Sequence, residues 1–195
     1  EGRKLREVFI AAPGKVFIVA DYSQIELRIA AMLSGDETLI DVFRSDRDIH
    51  REVAARVFDV ASEEVTHDMR HKAKTINFGI LYGMGVNALQ VNLGSTRAEA
   101  QQFLSTYMTT FPKIEEYMRT TVEYVAKHGY TVTRFGRRRW FPQIHSRIPY
   151  IRAGAERMAI NAPIQGTQAD CIKLAMIAFD SALEKAGARD HTKML

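Results

Sequence analysis

Val16-Phe-Ile-Val-Ala-Asp21-Tyr-Ser-Gln-Ile-Glu26-Leu-Arg28 decides the fold, because it sets an apolar run, a carboxylate and a helix start directly one after another. Val16 to Ala20 is uninterruptedly apolar and β-branched at Val16, Ile18 and Val19, which predicts a strand buried on both faces. Ser23 and Glu26 match the S-x-x-E capping box, and Ile25, Ile29, Met32 and Leu33 recur behind them at helical spacing. Asp21 therefore sits at a strand-to-helix junction. Two readings fit it: a helix-capping carboxylate, or a hard oxygen ligand of the kind Mg²⁺ takes where it also meets phosphate oxygens.

Working outward, 195 residues at 46% hydrophobic suffice for a sizeable core. The 27 Lys and Arg against 23 Asp and Glu leave a net charge of only +4, so a polyanionic partner must be argued from where the cations cluster. A single cysteine, Cys171, excludes an internal disulfide and a multi-cysteine metal site. With no signal-like start and no apolar run of membrane-spanning length, the expected setting is a reducing cytoplasm, with no membrane partner.

Upstream, Glu1 to Pro13 reads as a strand entering a sheet, with Pro13-Gly14 turning into the key strand. Downstream, Ser34-Gly35-Asp36 breaks the first helix. A short second helix carries Leu39, Ile40, Val42 and Phe43, and a third, capped by Asp48, places Ile49, Val53 and Val57 on one face. His50, near the start of the third, reads by itself as a surface histidine.

Arg70-His-Lys-Ala-Lys74-Thr-Ile-Asn-Phe78-Gly-Ile-Leu-Tyr82-Gly83 is the second informative stretch, predicted helical from about Asp68 until the glycines end it. Arg70, Lys74, Phe78 and Tyr82 recur every fourth residue and form one stripe of two cations followed by two aromatics. Cations can neutralise a triphosphate, and an aromatic further along offers a face to sugar and base. The bland alternative is an amphipathic helix with core aromatics and solvated cations. Ala73, Ile76, Asn77, Ile80 and Leu81 form the opposite, mostly apolar face, while Gly79, Gly83 and Gly85 suggest close backbone approach or a hinge.

A helix-rich region follows. Thr96-x-x-Glu99 is a second capping box ahead of Phe103, Leu104, Tyr107, Met108 and Phe111. Pro112 opens the next helix, carrying Ile114, Tyr117, Met118 and Val125, and Gly129 stops it. Tyr130 to Phe141 reads as a β-hairpin with Arg134, Arg137, Arg138 and Arg139 crowded at its tip, either a phosphate-backbone contact or a charged, solvated sheet edge. The last helical part, near Ile151 to Gly187, carries Arg157, Asn161 and Gln165 as a polar stripe, with Pro163 interrupting the helix within it; they serve nucleic-acid contacts or bonds within the fold.

Together, Asp21-Tyr-Ser-Gln-Ile-Glu26-Leu-Arg28, the R-x3-K-x3-F-x3-Y-G pattern from Arg70 to Gly83, and Arg157-x3-Asn161-x3-Gln165-Gly166 closely resemble the polymerase domain of family A DNA polymerases, the bacterial DNA polymerase I type. The resemblance implies that Asp21 binds two catalytic Mg²⁺ ions with the backbone carbonyl of Tyr22. Glu26 would be the steric gate against a ribose 2′-hydroxyl, which argues against a single-subunit RNA polymerase. Tyr22, Gln24, Glu26, His50, Arg70, Lys74, Phe78 and Tyr82 would contact the dNTP, with Lys74 catalytic beside Asp21. Phe78 in place of a tyrosine implies discrimination against dideoxynucleotides. Tyr82, Arg157, Asn161 and Gln165 would meet primer-template DNA.

The implied reaction is in-line attack of a primer 3′-OH on the α-phosphorus by a two-metal mechanism, serving DNA replication or repair at the nucleoid. In that family a second catalytic carboxylate follows the residues matching Lys193-Met-Leu195, so the chain alone is expected to be inactive. Asp170 and Asp180 match no catalytic role. The fold expected is α+β: an incomplete palm of antiparallel sheet plus helices (1–33, returning at 151–195) around a helix-rich fingers subdomain (34–150). The competing function is a nucleotide- or DNA-binding module without catalysis. An exposed palm edge predicts self-association.

Overall fold

Helix punctuation accounts for most of the architecture. The computed structural model describes residues 4–194, so the first residues of the expected entering strand, and Leu195, lie outside the described residues. Eight α-helices follow in chain order among those residues: α1 Ile25–Ser34, α2 Glu37–Arg44, α3 Ile49–Phe58, α4 His67–Leu81, α5 Val86–Leu93, α6 Arg97–Thr110, α7 Pro112–His128 and α8 Pro149–Lys185. Between α7 and α8 lies an antiparallel hairpin, β1 Tyr130–Val132 and β2 Arg138–Trp140, with Tyr130 opposite Trp140. The chain is helix-rich α+β, with one two-stranded sheet among the described residues.

The caps read from sequence are mostly in place. Asp48 accepts the amides of His50 and Arg51, and Thr96 and Glu99 close their reciprocal box; a further cap, Thr66, accepts the Met69 amide at the start of α4. Asp36 does more than cap α2. Its Oδ1 accepts the Leu39 amide at 3.0 Å and its Oδ2 the Lys113 amide at 3.1 Å, so one buried carboxylate ties the N-termini of α2 and α7. Gly129 ends α7 at φ 81, a left-handed conformation that favours glycine.

The main core joins α1 through α6, closed by Ile114 of α7 and Ile164 of α8; α3 packs along α4. A smaller cluster of Val125, Phe141, Ile144, Ala155, Ala159 and Ala162 seats the hairpin between α7 and α8.

Four expectations are corrected. Val16–Ala20 is not a strand, and Val16, Ile18 and Val19 are 81%, 85% and 90% exposed. A strand bonds through its neighbours, and no described residue offers it one. The preceding segment forms a 3₁₀ turn at Lys4–Val8 rather than a strand. The Ser23/Glu26 capping box does not form: Gln24 is the N-cap of α1, at φ 53 and without a side-chain bond. Leu27, Ala30 and Ala31 join Ile29 on the buried face of α1, while Met32 is exposed. Finally, α8 runs through Pro163 without a break. The proline removes one ladder bond, but Ala159, Ile160, Ala162, Pro163 and Ile164 are buried around it. Beside them the Tyr117 hydroxyl donates to the Ile160 carbonyl at 3.0 Å, so packing against α7 holds the helix together.

Candidate functional site

α4 presents its two faces as the spacing predicts. Ala73, Ile76, Asn77, Ile80 and Leu81 are buried against the body, while Arg70, Phe78 and Tyr82 are half-buried and Lys74 is exposed. Phe78 and Tyr82 lie with ring centroids 6.5 Å apart and planes inclined by 21°. Lys74 has no ion-pair partner among the described residues, so its ammonium is available to an anion.

The cationic end is built jointly by α3 and α4. Asp48 caps α3 through Oδ1 and accepts from Arg70 Nε through Oδ2 at 2.6 Å. Burial works against the Asp48 carboxylate, but the Arg70 bond and charge and the two amide bonds prevail and hold its carboxyl below its usual range. His50, expected at the surface, is 3% exposed. Its Nδ1 lies 2.9 Å from Nδ2 of Asn77, and its ring centroid is 5.9 Å from that of Phe78. Burial pushes the imidazole pKa down to about 4. Arg70 and Lys74 push the same way, against Asp48.

At the other end of α4 three sequence motifs converge. The Tyr82 hydroxyl donates to Glu26 Oε2 across 56 residues of chain. Burial, then the Glu26 bond and charge, push the Tyr82 phenol up to about 12, with the Gln165 side chain acting oppositely. Gly83 turns at φ 72 directly beneath Arg157: a Cβ there would stand 2.8 Å from Arg157 Cγ. Glu26 of α1, Tyr82 and Gly83 after α4, and Arg157 and Gln165 of α8 thus form one surface. The side chains of Arg157 and Gln165 are exposed and that of Asn161 half-buried. The close approach suggested by the α4 glycines is real at Gly83, and at Gly79, where a Cβ would meet Met84 Sδ at 2.8 Å.

The hairpin arginines do not act alike, and Arg137 fits neither of the two readings left open for them. Arg137 is structural: it donates to Asp170 Oδ1 at 2.9 Å and to the Gly166 carbonyl at 2.8 Å, while the Thr133 hydroxyl donates to Asp170 Oδ2 at 2.8 Å. The Thr133 bond, aided by Arg137, holds the Asp170 carboxyl below its usual range. Arg138 lies over Tyr130 and Arg139 over Phe141. All three arginines and Gln165 line a cleft of about 230 Å³ between hairpin and α8. Asp180 is engaged by Arg189.

Asp21 and Tyr22 lie in the exposed segment ahead of α1. No group of three or more His, Cys, Asp or Glu able to hold a metal ion occurs among the described residues. These residues therefore do not by themselves fit a complete Mg²⁺ site; Asp21 and the adjoining Tyr22 carbonyl offer hard oxygen ligands to part of one. Sequence reasoning missed the Asp48–Arg70 link and the His50–Asn77 pair. The signal was present in Asp48-x-His50 and in an asparagine on an otherwise apolar helix face.

The family model for DNA polymerase family A matches residues 1–195. The chain is 48% identical over 188 residues to the thermostable DNA polymerase I of Thermus aquaticus, which covers 96% of this chain and 23% of that protein. It is 48% identical over 187 residues to DNA polymerase I of Pseudomonas aeruginosa (96% and 20%) and 47% identical over 186 residues to that of Bacillus subtilis (95% and 21%). It therefore spans about a fifth of the length of these relatives. Among solved structures, the POL domain of Pol1 from M. smegmatis, in complex with DNA primer-template and dNTP, superposes with a TM-score of 0.82 at 43% identity, covering 86% of this chain and 30% of that one. The chain belongs to DNA polymerase family A.

Proposed function

We propose that this chain carries the dNTP- and primer-template-facing part of a DNA-directed DNA polymerase, which transfers a nucleotidyl group from dNTP to a primer 3′-OH with release of pyrophosphate. The observation that carries the reading is the convergence of Glu26, Tyr82, Gly83, Arg157 and Gln165 at one end of a helix whose other end presents Arg70 and Lys74. That surface is long enough to hold base, sugar and triphosphate in order along α4. Lys74 and Arg70 meet phosphate oxygens, His50 reaches the same group, and Phe78 stacks near sugar and base. Gln24 and Tyr22 flank the sugar side with Glu26, whose tie to Tyr82 fixes it as a wall against a 2′-hydroxyl. Arg157, Asn161 and Gln165 face primer and template. Asp21, with the Tyr22 carbonyl, would hold a divalent cation, Mg²⁺ by the hardness of its oxygens; because no group of three His, Cys, Asp or Glu completes the site among the described residues, no step is assigned to the ion.

The subdomain reading assigns 34–150 to fingers and 1–33 with 151–195 to palm. The palm share is supported by the apolar surface left open on Phe9, Ile10 and Val16–Val19 and on Ile172, Leu174, Ile177 and Phe179 of α8. The same surface supports self-association of the chain, which a clean monomer in light scattering at high concentration would refute. No helix among the described residues is long and apolar enough to cross a membrane, and a cytoplasmic, nucleoid-associated role is consistent with that.

A second reading, nucleotide or DNA binding without catalysis by these residues alone, is favoured by the solitary Asp21. Two measurements test the site and its chemistry. Titration with dNTP should show a loss on Lys74→Ala of about 10-fold or more, the worth of a charged hydrogen bond, and little loss on Arg139→Ala; equal losses would mark a generic basic surface. Mg²⁺-dependent primer extension by the chain, with Asp21→Ala as control, should be absent. Extension that Asp21→Ala abolishes would place a second catalytic carboxylate within these residues.

A further inference from the structure

Asn77 is fully buried on the otherwise apolar face of α4, among Ala73, Ile76, Ile80 and Leu81, where a primary amide is costly unless it is bonded. The one side chain it bonds among the described residues is His50, itself buried on α3, with Asn77 Nδ2 2.9 Å from His50 Nδ1. Its Oδ1 has no partner among the described residues. An amide nitrogen is only a donor, so Nδ1 facing it must be the acceptor, and the ring proton then resides on Nε2. Turning the amide over would place its two N–H donors in the unpartnered position in place of one acceptor, a larger loss in a buried site. It would also leave Nε2 as a bare lone pair. The charges of Arg70 and Lys74 both oppose a second proton on the imidazole.

We propose that Asn77 is a positioning residue for His50: its amide fixes the imidazole in the Nε2–H tautomer, so that the ring serves a phosphate oxygen as a neutral hydrogen-bond donor rather than as a cation. The inference rests on the reading above that His50 reaches the triphosphate. It adds how a buried histidine can do so among cations: the positive charge comes from Arg70 and Lys74, and His50 contributes direction. Asn77 touches no substrate and acts only through the ring.

Long-range ¹⁵N–¹H correlation spectra of the ¹⁵N-labelled chain near pH 7.5 read the tautomer directly. The expected pattern for His50 is protonated Nε2 and bare Nδ1 in the unsubstituted chain. In the isosteric Asn77→Asp the carboxylate accepts from Nδ1–H, and His50 moves to the Nδ1–H tautomer or to imidazolium. Titration with dATP and with inorganic tripolyphosphate should show affinity reduced about 5- to 15-fold by Asn77→Leu, the scale of one hydrogen bond. The same substitution should have no further effect in a His50→Gln background. A His50 with Nδ1 protonated in the unsubstituted chain overturns the proposal, whatever the variants do. So does a His50 that keeps Nε2–H and full affinity in Asn77→Leu while His50→Gln weakens binding. If His50→Gln leaves tripolyphosphate affinity unchanged, the assignment of His50 to the phosphates fails instead, and the spectra still decide whether Asn77 sets the tautomer. Asn77→Leu removes a buried amide from an apolar face, so loss of affinity with thermal stability retained separates positioning from damage to the fold.

Discussion

The segment leading into α1 is more apolar by sequence than α4, yet it is Ile76 and Ile80 of the mixed helix α4 that are 0% and 1% exposed, while Ile18 and Val19 are 85% and 90% exposed. The difference lies in where each backbone finds its hydrogen bonds. A helix satisfies its own N–H and C=O groups four residues away and needs neighbours only for its apolar face. A strand needs neighbours for both. α4 finds its neighbours in α3, α5 and α6; Val16–Ala20 finds none among the described residues.

A matched pair of substitutions breaks or sharpens this contrast. Ile76→Ala should cost about 2–5 kcal/mol in urea denaturation, the sum of lost transfer energy and the cavity left in a packed site. Ile18→Ala should change stability by no more than about 0.5 kcal/mol, as for an exposed side chain without a structural role. If Ile18→Ala costs as much as Ile76→Ala, the segment before Asp21 is folded against something in solution, and the contrast collapses.

A second test sets the polar interior of the α3–α4 pair against the exposed segment. His50 titrates near 6.5 in an unfolded chain and at about 4 in the fold. Below pH 6.5 the unfolded chain takes up a proton that the folded chain refuses, so the contribution of His50 is complete above pH 6.5, falls as pH drops, and is gone below about 4. It amounts to at most about 3 kcal/mol. Asp48, whose carboxyl is also held down, loses its own contribution at lower pH, in the same direction. The difference between the chain and His50→Gln isolates the histidine: the substituted chain should lose less stability between pH 6.5 and 4. Parallel pH profiles would mean that the imidazole is charged or solvated, and that the α3–α4 interface is looser than its burial indicates.

What the sequence discloses follows the same division. The caps at Asp48 and Thr96, the stop at Gly129, the two faces of α4 and the existence of the hairpin are all local, and each is legible from residues a few positions apart. The burial of His50 is not, because it depends on Asn77, 27 residues away. Nor is the fate of Glu26, whose partner Tyr82 is 56 residues on and competes successfully with the capping box its spacing suggests. Pro163 misleads for the reverse reason: the local rule says stop, and tertiary packing carries α8 onward. In the candidate site the residue types and their spacing point to the two separate stripes, and only the family resemblance joins them to Glu26 at one site, while the ties that position them, Asp48 to Arg70 and Asn77 to His50, are long-range.

The smallest expected effect concerns the joint between α4 and α8. Gly83 and Gly85 look alike in sequence, but Gly83 is at φ 72 with Arg157 Cγ 2.8 Å from where a Cβ would stand, whereas Gly85 has nothing within 4 Å and an ordinary φ of −85. Gly83→Ala should therefore destabilise by about 1–2 kcal/mol from the left-handed conformation alone. Displacing Arg157 should also weaken primer-template binding beyond that loss. Gly85→Ala should be neutral or stabilise by up to about 1 kcal/mol, since it restricts the unfolded chain without a clash. Thermal denaturation with a primer-template binding titration of both variants checks this. If the two substitutions behave alike, Arg157 does not rest on the turn, and the convergence of α4 with α8 loses its tightest contact. If Gly83→Ala weakens DNA binding while a triphosphate still binds α4 normally, the two ends of that helix serve separate ligands, as the order of its stripe implies.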